Sequence, residues 1–306
     1  MLYSSTELAL GLALDLSLGD PHWLPHPIRA LGWWCQKAEV LCRRWVAEPR
    51  AAGILFWFCV VPPATAGVHA TLQFLPRPWI AAYWIYSLLA IRGLDRETQV
   101  AVQSLAQHDL PRARYWISRV VGRDTANLDE AGVLRAAIET VAENLCDAVV
   151  APLFYLALAG PAGMAAYKAI NTLDSMVGYR NERYRHFGWC SARIDDVANW
   201  IPARLSACLI GIVALLPGFS AKQAVRATLR DASLQPSPNS GWPEAAAAGA
   251  LGVQLGGVNY YRGVASVKEF LGDAHQPLTL RAFGRMRLLL YGSAALMSII
   301  VWSMTR

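Results

Sequence analysis

Long uncharged runs alternate along this chain with segments rich in charged and amide side chains. The uncharged runs lie between Arg50 and Arg77, Arg77 and Arg92, Arg204 and Lys222, and Arg287 and Arg306. A helix needs about 17–25 predominantly apolar residues to span a bilayer, and the first and last of these runs bracket that length. The run that follows Arg77 is shorter, so we expect it to extend to Leu94 or to lie partly buried in protein.

A further uncharged run, residues 148–167, has ionisable and amide side chains close on both sides. The helix that leads into it is predicted to begin with a capping box of Asn127 and Glu130 and to end near Val150, because Pro152 interrupts the backbone bonding. The Gly-Pro-Ala-Gly break at 160–163 permits two half-helices that enter and leave on one side, buried in protein. We favour this re-entrant path over a full crossing because it lets the two polar flanks meet.

The pattern predicts an all-α fold, a polytopic integral membrane helical bundle with about four to six membrane-embedded segments. Residues 1–306 are expected to form a single membrane-embedded domain with helical polar modules at 92–147, 171–200 and 218–285. In the last module, the small-residue stretch 244–257 is expected to form a helix that packs closely against a neighbour. Residues 8–18 lack a basic n-region and are interpreted as a retained first helix, not a cleaved signal.

Composition supports a membrane protein. Hydrophobic residues make up 55% of the chain and charged residues 16%, whereas soluble domains carry about 25% charged residues. The 12 tryptophans and 11 tyrosines suit membrane–water interfaces. A large soluble all-α protein with buried core helices is the competing interpretation.

The net charge of +6 is spread over short basic groups, which argues against a nucleic-acid partner and favours topology signals, anionic lipid or substrate phosphate. The six cysteines form no CxxC pair and are interpreted as reduced packing residues.

Arg135, Glu139, Glu143 and Asp147 recur every four residues and form one stripe on the predicted 127–150 helix. Because like charges at this spacing repel and the helix leads into hydrocarbon, a divalent cation or arginines should neutralise them. Magnesium suits carboxylates and substrate phosphates. A solvated acidic face is the alternative. The chain contains no P-loop, no Rossmann fingerprint and no Gly-x-Ser-x-Gly elbow, so nucleotide chemistry would need another kind of site.

Three other polar segments could take part in chemistry. Residues 171–182 combine amides, a carboxylate and the Arg180 guanidinium, which suits carboxylate or phosphate, although a self-bonded polar linker is the alternative. Asp195 and Asp196 point apart on a helix, so at most one is expected to be a ligand. Prolines exclude a helical zinc pair of His22 and His26. That segment is interpreted as a rigid loop that presents Asp20, His26 and Arg29, with a structural turn as the alternative.

Five runs, taken in order, resemble one family. They are LGDPH (18–22) with PHP (25–27), AENLCD (142–147) with APLF (151–154), NTLDSMVGYR (171–180), DDVANWIPAR (195–204) and SPNSGWP (237–243). The chain resembles, from about residue 8 to 302, the integral-membrane cobalamin-biosynthesis proteins called CbiB or CobD, the adenosylcobinamide-phosphate synthases. The five motifs together are specific, whereas any one of them alone is weak.

The resemblance implies an ATP-dependent ligase that joins adenosylcobyric acid to (R)-1-aminopropan-2-ol phosphate and gives adenosylcobinamide phosphate. Such a reaction calls for ATP as a substrate, Mg²⁺ on the phosphates, cationic groups at the developing charge and a base for the ammonium. The corrinoid is a substrate here and not a prosthetic group.

We assign roles to motif residues and their neighbours as follows. The expected metal ligands are Glu143, Asp147 and Asp174. The expected catalytic residues are Asp195 or Asp196 as base, with Lys168 and Arg180 on phosphate. The expected substrate-binding residues are Asp20, His26, Arg29, Arg123, Asn144, Asn171, Tyr179, Asn181, Asn199, Arg204, Asn239 and Trp242, of which Arg123 is assigned to phosphate.

Two other functions compete with the ligase. A membrane sensor or regulator similar to the AmpE-like proteins would not need this acid–base set, and a corrinoid transporter would not need ATP for exchange. The expected location is the cell inner membrane, in contact with membrane lipid, with the site facing the cytoplasm. A homo-oligomer and an association with other enzymes of the corrinoid pathway are both left open.

Overall fold

A computed structural model describes residues 2–21 and 23–305, so His22 lies outside the described residues. Within this part of the chain the structure is built almost entirely of helices, which confirms the all-α prediction. The helices are α1 (Ser5–Leu18), α2 (Pro27–Trp45), α3 (Pro49–Phe74), α4 (Arg77–Leu88), α5 (Ile91–Ala106), α6 (Leu110–Ser118), α7 (Glu130–Leu145), α8 (Ala151–Val177), α9 (Trp189–Ala198), α10 (Trp200–Val213), α11 (Ala221–Asp231), α12 (Gly241–Leu251) and α13 (Leu280–Ser303). One antiparallel hairpin joins β1 (Leu255–Tyr261) to β2 (Val264–Leu271).

Three helical stretches in the described residues are long and apolar enough to cross a membrane: Pro49–Phe74, Glu130–Val177 and Leu280–Ser303. The bent pair formed by α9 and α10 makes a fourth if it counts as one span. The protein is therefore a helical polytopic membrane protein, with three or four candidate spans in the described residues, where four to six membrane-embedded segments were expected. The short run after Arg77 forms only the 12 residues of α4, and Ala81, Ile85 and other residues of that helix are buried, as expected.

The stretch from α7 to α8 differs from the prediction at both of its expected boundaries. The N-cap is Asp129, whose side chain accepts a hydrogen bond from the backbone N–H of Gly132, so the predicted capping box at Asn127 is wrong. The helix also does not end at Pro152. A π-helical turn at Cys146–Val150 precedes the proline, and such a turn re-routes backbone bonds at the point where proline lacks an N–H.

The helix does break where the Gly-Pro-Ala-Gly segment predicts. Gly160 has φ +67° and ends the first half of α8, and Pro161 begins the second half. A Cβ on Gly160 would lie 2.8 Å from the carbonyl oxygen of Leu2, so the kink also depends on the absence of a side chain. The re-entrant path itself stays a prediction.

The chain divides into two compact units made of interleaved segments. Unit one consists of the segment that ends at Ala90, of Ala151–Trp200, and of the segment that begins at Ser298. Unit two consists of Ile91–Val150 and Ile201–Met297. The expectation of a single membrane-embedded domain stays a prediction.

The core of unit one lies between α2, α3 and α8. The buried side chains that fill it are Cys35, Ala38, Cys42, Ala52, Phe56, Val60, Val61, Ala169, Leu173, Val177 and Phe187. The close approach of α3 to the segment before α9 depends on Gly53, because a Cβ there would lie 1.9 Å from the carbonyl oxygen of Phe187. None of the six cysteines forms a disulfide bond, and burial raises the pKa of the Cys35 thiol to about 12, which fits the predicted role in packing.

Unit two is organised around α12, which is buried along its whole length. Its small residues allow α11 to approach closely, since a Cβ on Gly249 would lie 2.2 Å from the carbonyl oxygen of Gln223. This confirms the predicted close-packing helix, although it ends at Leu251, before the predicted boundary at residue 257.

The hairpin β1–β2 is the main departure from the predicted helical module at 218–285. Arg262 and Gly263 form its tight turn with φ of 54° and 77°, the positive values that a two-residue type I′ turn requires. The Asp124 carboxylate accepts hydrogen bonds from the backbone N–H of Arg262 at 3.1 Å and of Gly263 at 2.7 Å. A contact from a distant segment therefore stabilises a turn whose sequence is not a common turn dipeptide.

We predict that Gly53→Ala destabilises the protein whereas Gly67→Ala on the same helix does not. The new methyl at position 53 collides with backbone, which typically costs about 1–3 kcal/mol. Position 67 has open space around its Cβ, so alanine there should be neutral or should raise helix stability by about 0.5–1 kcal/mol. Thermal unfolding of both variants in detergent measures the difference, and equal midpoints would contradict the close approach.

We also predict a loss of stability in acid that depends on Asp231. Burial raises the pKa of this carboxyl, but hydrogen bonds from Arg230 and from the backbone N–H of Gly272 outweigh it and hold the pKa below its ordinary value of 3.8. Because the folded pKa is depressed, the stabilisation is present above pH 3.8 and is lost as the pH falls through the folded value. In that pH range, the free energy of unfolding measured with denaturant should fall more steeply with decreasing pH for wild type than for Asp231→Asn. Glu269→Gln, which changes an exposed acid of the same unit, is the control and should follow wild type.

Candidate functional site

Three predicted site residues meet around one carboxylate in unit one. Asp195 on α9 accepts hydrogen bonds from the side-chain amide of Asn171 at 3.4 Å and from that of Asn199 at 3.0 Å. Asn171 lies on α8, so two different helices present amide donors to the same acid. Two amide donors fix the orientation of the carboxylate, and a general base must be positioned in this way.

Stacked tyrosines support this cluster from α8. The phenol of Tyr167 donates to Asn199 Oδ1 at 2.8 Å, and that of Tyr155 donates to the carbonyl oxygen of Ala198 at 3.1 Å. The two rings lie parallel, with centroids 5.1 Å apart. The orientation of Asn199 is therefore set by a buried phenol, and this amide in turn orients Asp195.

Two further predicted acids, Asp174 near the end of α8 and Asp196 on α9, have contacts of their own. The carboxylate of Asp174 lies against Gly178, where a Cβ would be 1.9 Å from Asp174 Oδ1, so the glycine makes room for the acid. Asp196 is 3.6 Å from Arg193 and interacts electrostatically with Arg180.

Asn181 and Tyr179 lie in the loop that follows α8, and both contact Tyr184. Asn181 Oδ1 accepts from the backbone N–H of Tyr184 at 3.0 Å, and the exposed ring of Tyr179 lies 6.5 Å from that of Tyr184. Asn181 thus has a local structural bond, and its assignment to substrate stays a prediction.

The segment before α2 matches the structural-turn alternative in its contacts. His26 is the N-cap of α2, since its Nδ1 accepts from the backbone N–H of Ile28 at 3.3 Å, and its Nε2 lies 3.2 Å from Asp20. Arg29 donates to the carbonyl oxygen of Leu24. These three side chains therefore stabilise the turn into α2, and their predicted role in substrate binding is untested.

An apolar cavity of about 530 Å³ lies beside this turn in unit one. Its wall is mostly aromatic and aliphatic, and the predicted site residues His26 and Lys168 are at its polar edge. The other residues that line it include Trp34, Pro63, Val68, Tyr83, Trp84 and Leu88.

Unit two brings together three further predicted residues. Arg204 on α10 lies 3.5 Å from Asn239 Oδ1, and its guanidinium carbon is 4.4 Å from the centre of the Trp242 ring. Arg204 and the pair Asn239–Trp242 come from different motifs of the sequence resemblance. A guanidinium over an aromatic face keeps N–H donors at its edge for an anionic group.

The acidic stripe of α7 is arranged differently from the prediction. Glu139, only 3% exposed, is the member that is neutralised, by a salt bridge to Arg123 and a 2.8 Å hydrogen bond from the backbone N–H of Gly256. Glu143 is exposed and Asp147 is half-buried. Arginine neutralisation, one of the two predicted solutions, is thus confirmed for Glu139.

The metal assignment stays a prediction. Among the described residues, no three His, Cys, Asp or Glu side chains form a group that could hold a metal ion. Glu143 and Asp147 belong to unit two, whereas Asp174 belongs to unit one. Asn144, assigned to substrate, donates to the carbonyl oxygen of Thr140 at 3.0 Å.

A buried ionisable residue on α12, Glu244, was missed by the sequence analysis. Glu244 is 1% exposed, and its Oε1 has no hydrogen-bond partner among the described residues. Burial raises the pKa of Glu244 well above its ordinary value, the Glu143 carboxylate adds to the rise, and Lys268 opposes it. Burial lowers the pKa of Lys268, but the attraction of Glu244, Glu143 and Glu139 outweighs it, so the net shift is upward. The sequence did contain a sign of this buried acid, because Glu244 is the one acid in an alanine-rich helix.

The structure defines a helical membrane protein with buried clusters of carboxylate, amide and guanidinium groups. The model of the CobD/Cbib protein family matches residues 8–289. The chain is 47% identical over 301 residues to the cobalamin biosynthesis protein CobD of Pelobacter propionicus, covering 96% of this chain and 93% of that protein. It is 46% identical over 299 residues to the protein of the same name from Geobacter metallireducens, covering 95% and 94%.

A third relative, the cobalamin biosynthesis protein CbiB of Salmonella arizonae, is 41% identical over 292 residues, which is 92% of each chain. No solved structure matches the chain. The chain belongs to the CobD/CbiB family, as the sequence motifs predicted.

We predict that Arg123→Met destabilises unit two, because it leaves the buried Glu139 carboxylate without its cationic partner. Removing one member of a buried ion pair typically costs about 3–5 kcal/mol. The double variant Arg123→Met, Glu139→Gln should regain part of this loss, since no unpaired charge remains. Denaturant unfolding of the two single variants and the double variant measures the coupling, and additive effects would contradict it.

Proposed function

We propose that the protein acts in cobalamin biosynthesis as an ATP-dependent adenosylcobinamide-phosphate synthase. The observation that carries this proposal is the match over nearly the whole chain to relatives named cobalamin biosynthesis proteins. The ligase reaction is the finer part of the proposal, and it comes from the resemblance of the five sequence motifs.

In the proposed reaction, the propionate carboxylate of adenosylcobyric acid takes a phosphoryl group from ATP, which leaves as ADP. The amine of (R)-1-aminopropan-2-ol phosphate attacks the activated carbonyl carbon, a C–N bond forms, and phosphate leaves. The ammonium must lose a proton before it can attack. The reaction therefore requires a positioned base and cationic groups near the transferred phosphoryl group.

Asp195 is the better of the two proposed bases. Its carboxylate is held by the amides of Asn171 and Asn199, and Asn199 is held by a buried tyrosine. Asp196, in contrast, is 3.6 Å from the exposed side chain of Arg193, and an exposed ion pair orients a carboxylate only weakly. A base that neighbouring groups already orient loses little freedom when substrate binds.

Arg180 and Lys168 are the proposed cations for the phosphoryl group, and Arg204 with Asn239 and Trp242 is proposed to hold a part of the substrate. Magnesium would be bound together with ATP, because Mg²⁺ commonly uses one or two carboxylates and completes its shell with phosphates and water. Glu143, Asp147 and Asp174 are the carboxylates proposed for it. The proposed location is the cell inner membrane, with the site on the cytoplasmic side.

The test is direct product formation by protein purified in detergent. Wild type is incubated with adenosylcobyric acid, (R)-1-aminopropan-2-ol phosphate, ATP and Mg²⁺, and adenosylcobinamide phosphate is quantified by mass spectrometry. We expect Asp195→Asn to lower kcat by about 10²–10⁴-fold, the usual contribution of a general base. Asp129→Asn is the matched control, because asparagine caps a helix as well as aspartate does.

Two results would contradict the proposal. If wild type forms no product although every substrate and protein component is present, the sensor or regulator is favoured. Exchange of labelled corrinoid across proteoliposomes in the absence of ATP would favour a transporter.

A further inference from the structure

A small polar cavity in unit two is built between the β hairpin and the segment before α7. Its volume is about 280 Å³. Residues of both segments line it: Arg123, Asp124, Asn127, Leu128, Val258, Asn259, Tyr260 and Gly263. The backbone N–H of Asp124 donates to the carbonyl oxygen of Tyr260 at 2.7 Å, which joins the two walls. The cavity is therefore a feature of the folded unit and not a gap between loosely placed loops.

One buried donor in this wall has no partner. Asn259 is 2% exposed, and its Oδ1 accepts from Arg123 at 2.7 Å and from Arg135 at 3.4 Å. Because two arginines occupy the oxygen, the orientation of the amide is set. Among the described residues, Asn259 Nδ2 has no hydrogen-bond partner. A buried donor without a partner costs free energy, so it favours a ligand that supplies an acceptor.

Arg123 provides positive charge next to this donor. Its side chain is 7% exposed, and two of its five N–H groups serve Asn259 and Glu139. The remaining N–H groups match the geometry of phosphate or carboxylate. Arg123 pairs with Glu139, and Arg135 also contacts Asn259 Oδ1, so two guanidinium groups lie at this corner of the cavity.

Asp124 provides negative charge in the same cavity. Its two oxygens each accept one backbone N–H from the hairpin turn, and a carboxylate has about four acceptor positions. The side chain is exposed, so it can still accept from a ligand cation. The cavity thus combines one guanidinium, one carboxylate and a short apolar wall of Leu128, Val258 and Tyr260.

We propose that this cavity binds a small zwitterion that has an oxyanion and an ammonium group on a short aliphatic body. The oxyanion is bound by Arg123 and Asn259 Nδ2, and the ammonium by Asp124. The volume is below the range of about 300–1,000 Å³ that is typical of pockets for drug-sized ligands, which excludes a corrinoid and disfavours a nucleotide. Resting on the proposed function, this assigns the cavity to the amino alcohol phosphate.

The experiment measures binding by calorimetry to full-length protein in detergent, with three probes. They are (R)-1-aminopropan-2-ol phosphate, propyl phosphate, which lacks the ammonium, and 1-aminopropan-2-ol, which lacks the phosphate. We expect the zwitterion to bind about fivefold more tightly than propyl phosphate, the upper range for an exposed ion pair. The free amino alcohol should bind most weakly.

Two substitutions separate the two ends of the ligand. Asp124→Asn removes the charge and keeps one of the two acceptors for the turn, so it should weaken the zwitterion about fivefold and leave propyl phosphate unchanged. Asn259→Asp keeps the oxygen that both arginines use and replaces the donor by an acceptor. It should weaken both phosphates by about thirtyfold or more. Glu130→Gln, an exposed acid outside the cavity, is the control and should change neither. Thermal unfolding verifies that each variant is folded.

The outcomes distinguish this inference from the ligase proposal. Binding that follows the expected pattern without any product formation supports the cavity and contradicts the ligase. Product formation with equal affinities in all three variants supports the ligase and overturns the cavity assignment. Absence of zwitterion binding to wild type, or an equal loss for both phosphates in Asp124→Asn, also overturns it.

Discussion

The carboxylate of Glu139 is buried on a helix that belongs to a stretch long and apolar enough to cross a membrane. A charge in such a place is stable only when it is paired and fully hydrogen-bonded. Glu139 meets this requirement with Arg123 from the preceding segment and with the backbone of Gly256 from the hairpin. One buried acid therefore holds three separate parts of unit two together. Asp95 has a comparable role, since it is fully buried and accepts from Arg287 and Tyr291.

Hydrophobic run length was the most reliable guide to this fold. It predicted α3 and α13 because a stretch of that length without charge has few other solutions. The break at Gly160 followed from local chemistry, since glycine and proline act on the backbone whatever their surroundings. The motif residues Asp195, Asn171 and Asn199 proved to be neighbours, although they come from two separate motifs, and their functional roles stay a prediction.

What the sequence did not predict depends on contacts between distant residues. The Arg262–Gly263 turn is not a common hairpin dipeptide, and it is stabilised by Asp124, which is more than one hundred residues away in sequence. The continuation of the helix through Pro152 depends on a π-helical turn that no residue pattern announces. Arg123 and the hairpin determine which acid of the α7 stripe is buried and paired. The spacing of the residues therefore predicted the stripe but could not predict that Glu139 is the paired acid.

The interleaving of the two units has a consequence for biosynthesis. The hydroxyl of Tyr3 donates to the carbonyl oxygen of Val301 at 2.9 Å, and both residues belong to unit one. On the ribosome this bond cannot form until residue 301 has been made. All segments of unit two have been synthesised by then, whereas domains made of one continuous segment usually fold in order from the N-terminus. Unit one therefore cannot complete its fold until every segment of unit two has been synthesised.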